Sequence, residues 1–269
     1  MIHYPFKTKP YDHQITALEK GWEELEYGYF MEMGTGKTKV IIDTAAMLFD
    51  AGKIEGLLIV APKGVYRNWS TLEIPAHMPE HIPLRIGVWS SKLGKEVRDS
   101  INHLFQPNDD LNVLVINIDA LITAKGKLVI EKFLNTRLVM MVIDESTTIK
   151  SPKAKRTKAA IMMGTRARYR RILTGSPVTK SPLDIFSQCD FLNPHLLGYS
   201  NYWSFRNRYA VTEPSFFGGR RVEQVVGFQN TEELHNIIKE FSYRVTKDEC
   251  LDLPPKIYTK REFDMSSEQ

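Results

Sequence analysis

Short apolar runs alternate with amphipathic stretches over the first two thirds of the sequence. A short apolar run has the length of a buried strand, whereas apolar positions three and four residues apart indicate a helix. The predicted strands are residues 29–33, 57–61, 84–89, 113–118, 138–144 and 171–174. The predicted helices are residues 12–26, 37–49, 95–105, 127–134 and 154–163. This alternation favours an α/β fold, with a mostly parallel sheet covered by helices on both faces.

The alternation stops after Pro182. Helices are predicted at residues 182–191, 199–209 and 231–241, and a hairpin at residues 216–228 turns at Gly218 and Gly219. We therefore divide the chain into an α/β domain (1–195), a small helical and hairpin appendage (196–256) and a short remainder (257–269). We expect Trp22 and Trp203 to lie in the core.

Composition narrows the class of protein. With 269 residues and 42% hydrophobic content, the chain can bury a large core. No apolar run reaches the roughly 18 residues of a membrane span, and the N-terminus lacks the apolar segment of a secretion signal. Cys189 and Cys250 stand far apart, which indicates neither a disulfide framework nor a zinc site. We therefore expect a soluble protein of the reducing cytoplasm, and its net charge of +4 permits a polyanionic partner.

Residues 31–38 read Met-Glu-Met-Gly-Thr-Gly-Lys-Thr and lie between a predicted strand and a predicted helix. This is the context of a phosphate-binding loop. Gly34 and Gly36 let backbone N–H groups approach phosphate oxygens, and the helix that follows directs its positive end at the same anion. Lys37 would bind the β- and γ-phosphates, and Thr38 would bind Mg²⁺. Because Met31 replaces the first glycine of the general pattern, a simple glycine turn before a helix stays an alternative.

A second motif follows the apolar run at residues 138–143, which ends in Asp144 and Glu145. In a nucleotide hydrolase, a carboxylate at the end of such a strand holds Mg²⁺, and the next one orients or deprotonates the attacking water. Asp144 and Glu145 are assigned these roles. A helix cap would explain Asp144 alone, but not the pair together with the loop.

The motifs together resemble the first, ATP-binding lobe of a Swi/Snf-type superfamily-two helicase, in a compact form such as phages and bacteria encode. The resemblance extends over nearly the whole chain and rests on several segments in the family's order. These are residues 11–14, 31–38, 58–62 with Trp69 and Glu73, 115–121, 144–151, 173–177 (Leu-Thr-Gly-Ser-Pro), 190–194, 244–247 and 251–256. Three of these positions depart from the family. Ser146 and Thr147 replace its usual alanine and histidine, so the coupling between hydrolysis and lobe movement is expected to differ. His13 stands where an aromatic residue commonly precedes the glutamine.

The resemblance implies a RecA-like fold, ATP and Mg²⁺ as ligands, and DNA as a sequence-nonspecific partner. It also implies a second helicase lobe, to which residues 257–269 would lead and which would carry the catalytic arginines, so that this chain alone would hydrolyse ATP slowly. The residues it assigns to ATP are Gln14, which would read adenine, and Met33, Gly34, Thr35, Gly36, Lys37 and Thr38. It assigns Thr174 and Gly175 to coupling, and assigns DNA contact to Pro62, Lys63, Asn117, Thr174 and Gly175. Capping of a strand end is the alternative for Asn117 and Asp119.

Two further features bear on nucleic acid. Residues 150–171 contain nine basic residues and no acidic one, which suits either phosphate contact or a solvated helix face. The hairpin tip places two aromatic residues beside two arginines, which fits either a strand clamp or an ordinary surface turn. Two other functions stay open: a phosphate-loop enzyme that does not act on nucleic acid, and a nucleotide-binding module without turnover.

Overall fold

The computed structural model describes residues 2–92, 94–218 and 220–250. Among these residues, seven parallel strands form one sheet in the order β3-β4-β2-β5-β6-β1-β9. Their bounds are β1 Glu26–Met31, β2 Gly56–Ala61, β3 Leu84–Val88, β4 Leu111–Asn117, β5 Val139–Asp144, β6 Tyr169–Leu173 and β9 Ser242–Val245. The other two strands, β7 (Ala210–Phe217) and β8 (Arg220–Phe228), form a separate antiparallel hairpin. The predicted α/β class and parallel sheet are confirmed.

Helices cover both faces of the sheet. Their bounds are α1 Asp12–Gly21, α2 Lys37–Asp50, α3 Tyr66–Asn68, α4 Ile74–His77, α5 Lys95–His103, α6 Ala124–Thr136, α7 Lys155–Gly164, α8 Phe186–Leu192, α9 Tyr202–Tyr209, α10 Thr231–Glu240 and α11 Lys247–Cys250. A π-helical stretch, Trp69–Glu73, joins α3 to α4, and short 3₁₀ turns occupy Ile118–Ile122, Ser146–Ile149 and Pro182–Ile185. No helix in the described ranges is both long and apolar enough to cross a bilayer.

Alternate residues of the central strands pack into two hydrophobic cores, one on each face of the sheet. In β2, Leu58 and Val60 pack on one face, whereas Leu57 and Ile59 pack on the other. Strands β2 and β5 are buried along their whole length, as expected for central strands of a parallel sheet. Because all the strands run in one direction, the loop after β1 and the carboxylates after β5 emerge at the same edge.

The first helix ends five residues earlier than predicted, at Gly21 rather than residue 26. The cause is Arg171, which is fully buried and donates hydrogen bonds to the carbonyls of Gly21, Trp22 and Glu24 at 2.6 to 3.1 Å. These carbonyls bind a guanidinium from β6 instead of continuing the helix. The chain then enters β1 at Glu26.

The segment after residue 195 contains one strand that the sequence did not predict. Strand β9 pairs in parallel with β1, with Gly28 opposite Ser242 and Met31 opposite Val245. Residues 196–256 therefore include an edge strand of the central sheet as well as helices and the hairpin, and the proposed boundary at 195 stays a prediction. The segment at residues 251–256 and the short remainder at residues 257–269 lie outside the described residues.

The prediction for Trp203 was wrong. Its side chain is 56% exposed, whereas Phe205 and Tyr209 on the same helix are fully buried. Residues four apart share one helix face, so burial of Phe205 and Tyr209 turns Trp203 toward solvent. Trp22 is partly buried and packs against the core, as predicted. At the hairpin tip Phe216 is 75% exposed and lies opposite Arg221.

Candidate active site

The phosphate loop lies between Met31, the last residue of β1, and Lys37, the first residue of α2. Gly34 and Gly36 both adopt left-handed backbone conformations, with φ of 87° and 85°. Residues with a Cβ rarely adopt such angles, which explains why these positions are glycines. Between them Thr35 is buried, and its hydroxyl donates to the carbonyl of Glu32 at 2.8 Å. The loop therefore has a fixed shape at the N-terminus of a helix of 14 residues.

Helix α1 supports this loop through two side chains. The Gln14 amide nitrogen donates to the carbonyl of Thr35 at 3.1 Å, and a ring nitrogen of His13 lies 2.8 Å from the same oxygen. The Gln14 side-chain oxygen accepts the backbone N–H of Tyr11. Gln14 is 3% exposed, so its carboxamide holds the loop in position. Contact between Gln14 and adenine stays a prediction.

Lys37 meets Glu145 at the centre of the site. The Lys37 ammonium lies 3.4 Å from a carboxylate oxygen of Glu145. Glu145 has a left-handed backbone, with φ of 47°, which is costly for a residue with a Cβ and occurs often at functional positions. Glu145 follows directly after β5, and its side chain faces the phosphate-binding loop. The predicted catalytic lysine and carboxylate are therefore together in the fold.

Asp144 is held rigidly beside them. One carboxylate oxygen accepts the indole N–H of Trp69 at 3.0 Å, and the other accepts the backbone N–H of Glu145 at 2.9 Å. Burial raises the pKa of Asp144, and the Trp69 hydrogen bond opposes that rise. Each oxygen keeps a lone pair, and a carboxylate with a threonine hydroxyl is a donor set that suits Mg²⁺ bound together with phosphate oxygens. Asp144 therefore fits the predicted metal site, and the part of Thr38, in the first turn of α2, stays a prediction.

The turn after β6 packs directly on the phosphate loop. A Cβ on Gly175 would lie 3.2 Å from the backbone nitrogen of Met33, so only glycine allows this approach without a shift. Thr174 is 2% exposed, and its hydroxyl accepts the backbone N–H of Ser176. The two residues predicted to couple hydrolysis to movement therefore form a turn that packs against the loop.

A buried hydrogen-bond chain joins the carboxylate segment to the same turn. The Ser146 hydroxyl donates to the side-chain oxygen of Gln188 at 2.6 Å. The Gln188 amide nitrogen donates to the carbonyls of Pro177 and Asp184, both at 2.8 Å. Ser146 stands where the family has alanine, which has no hydroxyl. This chain can therefore form a hydrogen bond that alanine could not. Gln188 was missed by sequence reasoning, because nothing near it in the sequence marks a partner 42 residues away.

The predicted DNA-contact residues fall at two places along the carboxyl edge. Ala61 at the end of β2 pairs with Asn117 at the end of β4, so Lys63, which is exposed, emerges beside Asn117. The Asn117 side chain accepts the backbone N–H groups of Asp119 and Ala120. Asn117, the last residue of β4, therefore caps the 3₁₀ turn that follows, in line with the capping alternative, and its contact with DNA stays a prediction. Pro62 begins the turn into α3.

The basic run at 150–171 is not one surface. Arg171 is buried, Arg170 forms an ion pair with Glu26, and Lys150 lies 3.4 Å from Asp184. The nine basic residues of the run lie in loops, in helix α7 and in strand β6, which turn their side chains in different directions. The exposed cations of the run are Lys153, Lys155, Arg156, Lys158, Arg166 and Arg168. The nine residues therefore do not all face one phosphate backbone, because Arg171 is buried and Lys150 and Arg170 are paired with carboxylates.

Strand β9 brings two further cations close to the loop. The backbone N–H of Lys247 donates to the Glu32 carboxylate at 2.8 Å, and the Lys247 side chain lies against Gly34. Arg244 lines the same cleft of about 490 Å³ as Glu145 and Thr174. In the sequence, residues 244–247 were only one of the segments that carry the family resemblance. Their position next to the phosphate loop depends on the pairing of β9 with β1.

Comparison with known proteins agrees with this geometry. Residues 29–269 match the model of the SNF2-related domain. The DNA annealing helicase and endonuclease ZRANB3 of Homo sapiens is 30% identical over 237 residues, which are 88% of this chain and 20% of that protein. A mouse SWI/SNF-related regulator of chromatin, subfamily A containing DEAD/H box 1, is 28% identical over 84% of this chain and 21% of its own length.

A solved structure shows the same fold. The SWI2/SNF2 ATPase core of Sulfolobus solfataricus, in complex with double-stranded DNA, aligns with a TM-score of 0.68 at 24% identity. The alignment covers 94% of this chain and 48% of that one. The chain thus spans about a fifth of the two curated relatives named above. Because the family model covers most of the sequence, this chain belongs to the SNF2-related domain family.

Proposed function

We propose that this chain is the first, ATP-binding lobe of a DNA-dependent ATPase motor. The observation that carries the proposal is the meeting of Lys37 and Glu145 at 3.4 Å, beside the fixed carboxylate of Asp144. A loop cation, a metal-binding carboxylate and a second carboxylate are the parts that nucleotide hydrolysis requires. Here they come from two parallel strands that end at one edge of the sheet.

The residues act on ATP in distinct ways. The loop amides between Gly34 and Lys37 surround phosphate oxygens, and the Lys37 ammonium neutralises negative charge on the β- and γ-phosphates. Thr38 and Asp144 would hold Mg²⁺, which would withdraw negative charge from the phosphates. Glu145 orients the attacking water and accepts its proton. Gln14 and His13 keep the loop in the shape that binds phosphate, and Gln14 is also proposed to contact adenine.

DNA is proposed to lie along the carboxyl edge of the sheet. Ala61, two residues before Lys63, pairs with Asn117 there, and Thr174 and Gly175 follow the end of β6. Pro62 shapes the turn that presents Lys63. Such contacts reach phosphate oxygens and carry no base information, so binding is expected to be independent of sequence. The aligned ATPase core is in complex with double-stranded DNA, and ZRANB3 is a DNA annealing helicase; both support DNA as the partner.

A second lobe is proposed to close over the cleft that Glu145, Thr174 and Arg244 line. The relatives are longer than this chain, which supports a further lobe in the whole protein. That lobe would supply arginines to the γ-phosphate, a contribution of roughly 10³ to 10⁵ in rate in related phosphoryl-transfer sites.

Free Cys189 and Cys250 support a reducing, cytoplasmic location.

Steady-state phosphate release, with and without duplex DNA, tests the proposal. Residues 1–269 are expected to bind Mg-ATP and to hydrolyse it slowly with little stimulation, whereas a protein that includes a second lobe is expected to be stimulated strongly. Duplex binding should weaken with salt by about 0.9 in log K per log salt for each phosphate neutralised. A longer protein whose ATP hydrolysis ignores DNA, or tight binding that is insensitive to salt, would contradict the proposal.

A further inference from the structure

A second concave surface lies outside the ATP cleft. Three segments form it: the loop after the carboxylates, helix α9 and strand β8. Its volume is about 700 Å³, and it shares no lining residue with the cleft around Glu145. The residues that line this groove are Ser151, Pro152, Lys153, Tyr202, Trp203, Arg206, Val222 and Glu223.

Trp203 is the exposed aromatic of this groove. Its indole is 56% exposed, although the helix that carries it is firmly anchored. The Asn201 side chain caps α9 by accepting the backbone N–H groups of Trp203 and Ser204 at 2.9 and 3.0 Å. Phe205 and Tyr209 fix the opposite face of the helix in the core. The indole is therefore presented on a rigid element, which reduces the entropic cost of binding a flat ligand.

Two cations lie over the indole ring. The Lys153 ammonium lies 5.8 Å from the ring centroid, and the guanidinium carbon of Arg206 lies 5.7 Å from it. Arg206 is oriented by a hydrogen bond of 2.9 Å to the backbone carbonyl of Glu223. Neither cation has a carboxylate partner within the described residues. Lys153 therefore gains an aromatic neighbour from a separate element, helix α9.

The groove carries a positive charge. Glu223 is its acidic member, and the Arg221 guanidinium lies 3.5 Å from the Glu223 carboxylate. Lys153 and Arg206 are left to attract an anion. An apolar peptide would fill the groove without pairing either cation, whereas a nucleic acid strand offers both a flat base and phosphates at either side of it. This complementarity selects the nucleic acid.

We propose that the groove binds single-stranded nucleic acid, with one unpaired base stacked on Trp203 and the adjacent phosphates on Lys153 and Arg206. This inference takes the class of partner from the proposed function and adds a separate site for it. Paired bases in a duplex already stack on their neighbours, so their faces are not open to the indole. Base stacking on an aromatic side chain combined with cationic phosphate contacts is a general way to hold a single strand.

The site lies close in sequence to the catalytic carboxylates. Ser151 and Lys153 follow Glu145 after one 3₁₀ turn. Lys150, at the end of that turn, donates hydrogen bonds to the side chains of Thr179 and Asp184. A strand that binds Lys153 therefore contacts the segment that continues from the carboxylate pair. This path would let an unpaired strand and the nucleotide influence each other.

The test is fluorescence anisotropy with a labelled twelve-nucleotide oligothymidine and with a duplex of equal length. Trp203→Ala should weaken oligothymidine binding roughly 5-fold to 150-fold, which is the range for loss of one stacked base. Trp203→Phe should recover part of the affinity, and duplex binding should be unchanged in both variants. Lys153→Ala should reduce the salt slope for oligothymidine by about 0.7, the value for one phosphate contact on a single strand.

The matched control is Lys95→Ala, which removes one exposed lysine from the start of α5. It should leave both the oligothymidine affinity and its salt slope unchanged. Unchanged oligothymidine affinity in Trp203→Ala would overturn the proposal. Equal weakening of oligothymidine and duplex, or binding of a peptide with no measurable oligothymidine binding, would also overturn it. The assay contains no ATP, so failure of the ATPase proposal would leave its outcome readable.

Discussion

The hydroxyl of Ser146 donates a hydrogen bond of 2.6 Å to the side-chain oxygen of Gln188. Through Gln188 it reaches the carbonyl of Pro177, which belongs to the turn that packs on the phosphate loop. The turn is therefore connected to the phosphate-binding loop through Gly175 and to the carboxylate segment through Gln188. We expect the second connection to transmit changes at the carboxylates to the turn.

Ser146→Ala should break the first link of that connection. ATP affinity should change less than twofold, because the hydroxyl does not face the phosphate loop. The change in hydrogen exchange that ATP causes at residues 173–180 should become smaller, and mass spectrometry of that peptide measures it. Gln188→Glu provides an independent test, since it can still accept from Ser146 but loses the amide donor to Pro177. An unchanged exchange response in both variants would contradict the connection.

Arg171 should be required for the fold rather than for DNA. Its guanidinium donates to several backbone carbonyls at the end of α1 and is fully buried. Arg171→Met should leave these acceptors without a donor and lower the free energy of unfolding by roughly 3 kcal/mol or more. The exposed Arg168→Met should change it by less than about 0.5 kcal/mol. Urea denaturation measures both, and equal stability of the two variants would contradict the assignment.

Asp43 should give the protein a measurable dependence on pH. Burial raises the pKa of Asp43 to about 6, and its 2.6 Å contact with Lys39 opposes only part of the rise. Because the folded state holds this proton at higher pH than the unfolded state, stability falls as pH rises from about 4 to about 6. The stability of the native protein relative to Asp43→Asn should therefore be greater at pH 4.5 than at pH 7, by on the order of 2 kcal/mol. Equal differences at the two pH values would contradict the raised pKa.

Asn117 allows its cap to be separated from DNA contact. Asn117→Ala removes the acceptor for the Asp119 and Ala120 N–H groups and should cost about 1 kcal/mol of stability. Asn117→Asp keeps the acceptor and should preserve stability, but its charge should repel phosphate and weaken duplex binding. Thermal unfolding and anisotropy measure the two effects. Unchanged duplex affinity in Asn117→Asp would leave Asn117 as a cap alone.

Local sequence was sufficient for the parts of the site whose geometry is local. The phosphate loop needs glycines at two left-handed positions followed by a lysine, and the carboxylates need only the end of a buried strand. These features occupy a few consecutive residues, so their pattern predicts their structure. The parallel sheet also followed from the alternation of apolar runs with helical stretches.

The missed features depend on distant contacts. Strand β9 is short and lies at the edge of the sheet. Val245 is its buried residue, so the strand has no apolar run that would predict it. Arg171 resembles a surface cation in sequence, yet four carbonyls near the end of α1 and the start of β1 surround it in the fold. The pairing of Trp203 with Lys153 joins residues from two separate elements. None of these relations leaves a periodic signal along the chain.

Titration of Mg-ATP into three proteins tests the central claim most directly. Isothermal calorimetry should show one binding site in the native chain, retained affinity in Glu145→Gln, and affinity that is abolished or strongly weakened in Lys37→Ala. The reason is that Lys37 neutralises the phosphates, whereas Glu145 acts on the attacking water. Phosphate release should be lost in Glu145→Gln wherever the native protein turns over. Unchanged affinity in Lys37→Ala would contradict the assignment of the nucleotide site.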